Sequence, residues 1–500
     1  MRRLGPCVAR GKFGCYPEAA QPGQTGRQMH GDVSGDSAEE KIMGTNGVPW
    51  KMRKTALAFI LISLMVVVLG CQTTGDPVED SGGNLSEAGA SDKEGEVGLA
   101  VDRIVFMTTN GELFLVNPDG TEEVKLAGAT QVSGGPLGAI MAQPVDNNVF
   151  YSWPTWSPDG TKLAASLVEV TSGQPEISVQ VLDAATGAAS AVFRNEAPGL
   201  IADGTPHYLY WSPDSRTLAV LASTPQGLTL FAADTESLTE PTVIETGAPL
   251  YFHWAADGQS MLMHVGDELK LLTRPFGASS TDSIEADPGF RVPALSPDGS
   301  AMAYLGTGGT RGSLLIAGTD APATTRNALE IGSRAAFAWS SQGGDLAVVD
   351  QEDLATPTFQ RLRVIPSDGG TARTVAEGQI IAFYWSPDGE KLAWVGLDGS
   401  SNDFVWWAAT APGGTARELL RGQPTSDMLT TLSFFDQYAY SHSPWSPDST
   451  RLVLAAVPNR SRSSSNGSSP SGPRIFVVDA VGTEEPLQVA AGSTAFWSWN

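Results

Sequence analysis

A chain of 500 residues with 55 acidic and 31 basic side chains, net charge −24 and 41% hydrophobic residues, is long enough to bury a large core. Its field repels nucleic acid and anionic lipid headgroups, which excludes both as partners of the folded surface. Of the three cysteines, Cys7, Cys15 and Cys71, none follows residue 71, so the chain beyond that point must be held by its apolar core and not by disulfides.

The first element is an export signal. Met52-Arg53-Lys54 precedes an apolar run from Ala56 to Leu69, which ends at Val68-Leu69-Gly70-Cys71. A basic start, a short apolar stretch and a small residue before the cleavage point make a secretory signal over 52–70, too short to span a bilayer comfortably. The cysteine after Gly70 resembles the lipobox of bacterial lipoproteins. That resemblance implies acylation of Cys71 and an exported protein held by its N-terminal lipid on the periplasmic or extracellular face of the cell envelope. Residues 1–51 then stand upstream of a complete signal as an over-long start, with Met43 or Met52 as the beginning. Without residues 1–54 the chain keeps 22 basic and 50 acidic side chains. Residues 72–100, rich in Gly, Ser, Asp and Glu, read as a flexible acidic linker, which with the acylated cysteine makes a tether over 71–100.

From residue 101 one phrase recurs. Trp156-Ser157-Pro158-Asp159-Gly160, Trp211 to Asp214, Trp254 to Gly258, Leu295 to Gly299, Trp339 to Gly343, Trp385 to Gly389 and Trp445 to Asp448 have anchors 55, 43, 41, 44, 46 and 60 residues apart. Each anchor closes a predicted strand, the Pro-Asp-Gly stretch makes a turn, and an apolar run such as Leu392-Ala393-Trp394-Val395 opens the next strand. Third and fourth strands follow, as in Phe404-Val405-Trp406-Trp407 and Arg373-Thr374-Val375. A period in the forties with this strand-turn-strand chemistry predicts a β-propeller. Because the anchor aromatics recur at one position, they are expected to wedge between blades, and the aspartates to serve the turns.

The two ends complement each other. Residues 103–120 supply second to fourth strands with no anchor before them, and Thr494-Ala495-Phe496-Trp497 supplies a first strand with nothing after it. Joined, they make one composite blade. The expected fold is therefore all-β, an eight-bladed propeller of four-stranded antiparallel blades over 101–500, closed by the C-terminal strand completing the first blade. The Trp-Ser-Pro-Asp-Gly-x-x-Leu-Ala phrase resembles the repeat of TolB-like, or WD40-like PD40, propellers of bacterial envelope proteins. Departures are Leu295 for Trp, Ala255-Ala256 for Ser-Pro, and Ser341-Gln342 for Pro-Asp.

The search for chemistry is mostly negative. There is no Gly-x-Ser-x-Gly, no His-Glu-x-x-His, no phosphate-binding loop and no cysteine cluster, so no cofactor, metal site or catalytic residue is assigned. Residues just before each anchor enter the innermost strand and face the channel or its mouth. There lie Tyr151, Trp153, His207, Tyr208, Tyr251, His253, Arg291, Arg334, Tyr440 and His442. Such aromatic and cationic groups suit a peptide or an envelope glycan, with Arg291 and Arg334 reading a carboxylate. The expected function is a non-catalytic envelope propeller that binds a protein or peptide partner or a glycan and meets the membrane through its N-terminal lipid only. The rivals are a channel enzyme acting on a saccharide or small molecule through His207, His442 and Asp436, and a purely structural lipoprotein. The loop 128–148, with Leu137, Ile140 and Met141, is expected to form a lid, and the serine-rich loop 459–473 to be disordered.

Overall fold

The computed structural model describes residues 102–499 apart from 129–147, 172–173, 195–205, 274–279, 285–290, 307–311, 333, 353–355, 412 and 459–471. All of these residues belong to the unit Asp92–Asn500. The expectations for residues 1–51, for the signal 52–70, for Cys71 and its linker, and for most of the loops 128–148 and 459–473 lie outside the described residues.

Within the described residues the chain folds into successive antiparallel sheets, each strand pairing with its neighbour in sequence. Four-stranded sheets begin at Asn148–Trp156, Pro206–Trp211, Leu250–Trp254 and Ala294–Leu295. A seven-stranded sheet then runs from Arg334–Trp339 to Arg417–Gly422 and consists of two four-stranded halves sharing the long strand Arg373–Trp385. The first part of that strand pairs with Phe359–Pro366 and its last part with Lys391–Leu397. The last repeat keeps three strands, Arg451–Ala456, Arg474–Asp479 and Leu487–Ala490, and joins its anchor through a single bridge from Trp445 to Leu452.

Burial explains why each strand has its composition. Second strands such as Thr217–Thr224 and Ala301–Gly306 are buried on both faces and are correspondingly continuous apolar runs. Fourth strands such as Thr242–Thr246 and Ser280–Ile284 are largely exposed and polar. The apolar faces pack in pairs between consecutive sheets. Ala164, Val179 and Phe193 of one meet Leu209, Trp211 and Val220 of the next, and Leu262 and Leu269 meet Met302 and Tyr304 two intervals later.

The repeated phrase is the joint between these sheets. In five turns the serine hydroxyl donates to the aspartate two residues on, from Ser157 to Asp159, Ser212 to Asp214, Ser296 to Asp298, Ser386 to Asp388 and Ser446 to Asp448, at 2.5 to 2.6 Å. The same hydroxyl accepts the amide that opens the next strand, as Lys162 N–H to Ser157 Oγ at 2.9 Å. These bonds hold the carboxyls of Asp159, Asp298, Asp388 and Asp448 below their usual range. At Asp298 the Ser296 hydroxyl leads, whereas at Asp159, Asp388 and Asp448 burial pulls upward and is outweighed by the donors. Glycine closes most turns at positive φ, 70° at Gly160 and 71° at Gly389, but Ser215 and Ser449 take the same conformation at 59° and 61°. They are kept there by a bond a glycine cannot make: each hydroxyl accepts the amide of the preceding repeat's aspartate, Asp159 and Asp388, at 3.0 Å.

The tryptophans complete the joint. The indole N–H of Trp211 donates to the carbonyl of Thr155, that of Trp385 to Ala338 and that of Trp445 to Tyr384, each at 3.2 Å and each to the residue just before the preceding anchor. Where Leu295 replaces Trp, the link is made from the other side, Leu295 N–H donating to His253 Nδ1 at 3.2 Å. Trp211→Phe removes one such bond, and a loss of about 1 kcal/mol is expected in the denaturant midpoint. The same change at Trp385, which is partly exposed, is expected to cost less.

The ends of the described chain share a sheet. Thr494–Trp497 pairs antiparallel with Ile104–Met107, Ile104 opposite Trp497 and Met107 opposite Thr494. Arg103 N–H donates to Ser498 Oγ at 3.0 Å, and Ser498 N–H to the Arg103 carbonyl at 2.9 Å. The Trp156 indole donates to the Phe496 carbonyl at 3.2 Å, repeating the joint across the two ends.

Candidate functional site

Two short helices interrupt the all-β pattern: Ser426–Ser433 (α1) and Phe435–Tyr438 (α2). They occupy the interval where the last repeat's first strand would run, which is why Trp445 keeps only a bridge. Thr425 caps α1, its hydroxyl accepting Met428 N–H at 3.1 Å and donating to the Ser493 carbonyl at 2.6 Å. Met428, Leu432 and Phe435 share one buried stripe.

Residues 434–442 meet first-strand side chains from several repeats, and Phe359 from a third strand. Tyr438 stacks on Trp153 at 5.9 Å and meets Tyr208 edge-on at 5.2 Å. Phe435 packs against Phe383 at 5.1 Å and Phe359 at 6.3 Å. Tyr440 lies 4.2 Å from His253, and His442 lies 4.7 Å from Phe496. Backbone groups tie the same segment down, Tyr208 Oη donating to the Gln437 carbonyl at 2.8 Å and Thr155 Oγ1 to the Ser441 carbonyl at 2.9 Å. Trp153 reaches Tyr438 from a bulge where the strand register shifts, its own φ at +60°, a strained conformation for a bulky residue.

The predicted ring is thus brought together around this segment, with exceptions. Trp153, Tyr208, His253, Tyr440 and His442 pack in it or against it. Tyr151 belongs to a separate cluster with Leu115, Trp156 and Phe496. His207 lies on the strand Pro206–Trp211, and its side chain lies outside the described residues. His253 and His442 are enclosed. Burial pushes the imidazoles of His253 and His442 down to about 3, so both are neutral at physiological pH. His264, which precedes no anchor and which sequence reasoning passed over, places its Nδ1 3.2 Å from the Arg291 carbonyl and so fixes the approach of that residue.

Arg291 and Arg334 do meet a carboxylate, and it is the chain's own. Arg291 Nη1 lies 3.3 Å and 3.4 Å from the two oxygens of Asp436, whose side chain is 4% exposed. Both guanidiniums lie over the Phe359 ring, Arg291 at 5.8 Å and Arg334 at 5.0 Å. Tyr251 lies in the field of both Asp436 and Arg291, and its hydroxyl is raised chiefly by burial. Arg334 donates to the Pro357 carbonyl at 2.8 Å and forms no ion pair among the described residues. Beside α1, a cavity of ≈ 30 Å³ bounded by Tyr384, Leu432, His442 and Phe496 has room for one or two waters. Among the described residues no group of three or more His, Cys, Asp or Glu could hold a metal ion, and no helix is long and apolar enough to cross a membrane.

No protein-family profile and no curated protein sequence matches this chain. Among solved structures it is similar to the dihydro-heme d1 dehydrogenase NirN, at 13% identity over 82% of this chain and 78% of that one, with a TM-score of 0.51. TolB from Acinetobacter baumannii matches at 14% identity over 63% and 80%, with a TM-score of 0.36. The β-propeller domain of Cps50 (Swd1) from Myceliophthora thermophila matches at 14% identity over 54% and 85%, with a TM-score of 0.38. One of these is named as a dehydrogenase, so fold alone does not choose between binding and catalysis. Together with the successive four-stranded sheets, the likeness is one of fold: an all-β arrangement of the propeller type.

Proposed function

We propose that this chain is an exported envelope protein, lipid-anchored through Cys71, whose eight-bladed ring, closed by its C-terminal strand, is a non-catalytic platform for a protein or peptide partner. The observation that carries the reading is the filled mouth. Residues 425–442 take up the innermost side chains that a channel enzyme would turn toward a substrate. Asp436 is buried against Arg291, and His442 is enclosed and neutral, so neither is disposed as the acid or base of a channel reaction. The mouth already holds a peptide, the chain's own, through aromatic, carboxylate and backbone contacts, the vocabulary of peptide recognition and not of turnover.

Photo-crosslinking in native membranes with the lipidated protein, followed by mass spectrometry, tests the platform. A reproducible protein crosslinked to the mouth is expected. Capture of abundant neighbours alone, at the same yield from any surface position, would overturn it. The anchor is tested separately. Cys71→Ser is expected to abolish acyl labelling and to move the protein from the membrane to the soluble fraction, while retention of both would remove the lipid from the proposal.

A further inference from the structure

We propose that the mouth beside α2 is a binding site for an acidic peptide, and that Arg334 takes the partner's carboxylate next to the one Asp436 already supplies. The inference deepens the platform reading and rests on it. Two guanidiniums face a single buried carboxylate over one aromatic ring, and Asp436 is within reach of Arg291. Arg334 is left with one backbone acceptor, the Pro357 carbonyl, and its Nε is buried with no hydrogen-bond partner among the described residues. A partly buried cation that shares its nearest counter-charge with a second guanidinium is under-compensated, and its planar fork of donors is shaped for a carboxylate.

The occupant already seated states what the mouth accepts. The segment Phe434-Phe435-Asp436-Gln437-Tyr438 places an acid between aromatic residues, Phe435 against Phe359 and Phe383, Tyr438 against Trp153 and Tyr208. A second peptide carrying an acid beside an aromatic side chain uses the same chemistry one guanidinium further on. Asp436 keeps Arg291 occupied, so the incoming acid is directed to Arg334. In a chain whose net charge is −24, an acidic ligand is drawn only where cations locally exceed carboxylates, and this is such a place.

The test is isothermal titration calorimetry of the intact protein with a tetrapeptide carrying one aspartate beside a phenylalanine, its asparagine counterpart, galacturonate and inorganic phosphate. The aspartate peptide is expected to bind, and the asparagine peptide to bind at least tenfold more weakly. Arg334→Gln is expected to lose at least tenfold for the aspartate peptide, and Arg334→Lys to recover part of the loss. Thermal melting of both variants establishes that each is folded. Equal binding of the aspartate peptide by the protein and by Arg334→Gln overturns the proposal, as does absence of binding. Binding of galacturonate or phosphate in place of the peptide overturns it too, by giving the cation to a glycan or to a free oxyanion. If Arg334→Gln still crosslinks the same partner in membranes, the platform stands and this site falls.

Discussion

Acidification from pH 6.5 toward pH 4 is expected to destabilise the protein steeply, by about 1.4 kcal/mol per pH unit for each of two histidines. Burial lowers the imidazoles of His253 and His442 to about 3 in the folded chain, against about 6.5 when unfolded. Between those values the unfolded chain binds two protons that the folded chain refuses, so stability is full above pH 6.5 and falls as pH drops toward 3. Structure reinforces the arithmetic. His253 Nδ1 must be unprotonated to accept the Leu295 amide, so a proton there breaks the joint between two repeats. His442 is wedged between Tyr438 and Phe496 with Ser441 Oγ 2.6 Å from its Nδ1. The turn aspartates act in a lower window: their depressed carboxyls add stability that is lost only as pH falls below about 4. Denaturant midpoints measured across pH check this. The double variant His253→Asn and His442→Asn should flatten the profile between pH 6.5 and 4. An unchanged slope in that variant would assign the acid sensitivity elsewhere.

Asp436→Asn is expected to cost about 3 kcal/mol, the order found when one partner of a buried ion pair is removed. The change is nearly isosteric, so packing of Phe435 and Tyr438 is spared, and the loss is electrostatic. Arg291, 16% exposed, is left with Arg334 at the same Phe359 ring and without its counter-charge. Replacing both members of the pair, Arg291→Met with Asp436→Leu, should recover most of the stability, because the desolvation cost disappears with the charges. Equal losses in the single and double variants would mean that the charge pair contributes nothing beyond the shape of the side chains. The measurement is a double-mutant cycle on denaturant midpoints.

The fold was legible because the same few atoms make most of the joints. A serine that closes a turn, an aspartate that receives it and an indole that reaches the previous strand each demand one residue type at one spacing, so the requirement is printed in the sequence at most repeats. Leu295 and the Ser215 and Ser449 turns show the tolerance of that rule, since a neighbouring His253 or a bridging hydroxyl supplies the missing bond. The mouth was legible only in half. Residues entering the innermost strands could be placed by their distance from an anchor, which gathered His253, Arg291, Arg334 and His442. Their counterpart could not, because no local rule states that a helical segment will fill a strand's place. The signal was present: the interval from Trp385 to Trp445 is 60 residues against 41 to 55 elsewhere, and Thr425 precedes Met428, Leu432 and Phe435 at helical spacing. The ion pair of Asp436 was hidden for a different reason. Its partner Arg291 is 145 residues away, and only the folded chain reveals that the pair is already made.

The strand Thr494–Trp497 beside Ile104–Met107 also sets the order in which this protein can be finished. The bonds between Arg103 and Ser498 span 395 residues, so during synthesis the strand Ile104–Met107 waits with an open edge until residues 494–498 have been made. Contacts of such separation are formed late and slowly, which gives the chain a long interval with that sheet unpaired on one side and makes the docking of Thr494–Trp497 a late step towards the native form.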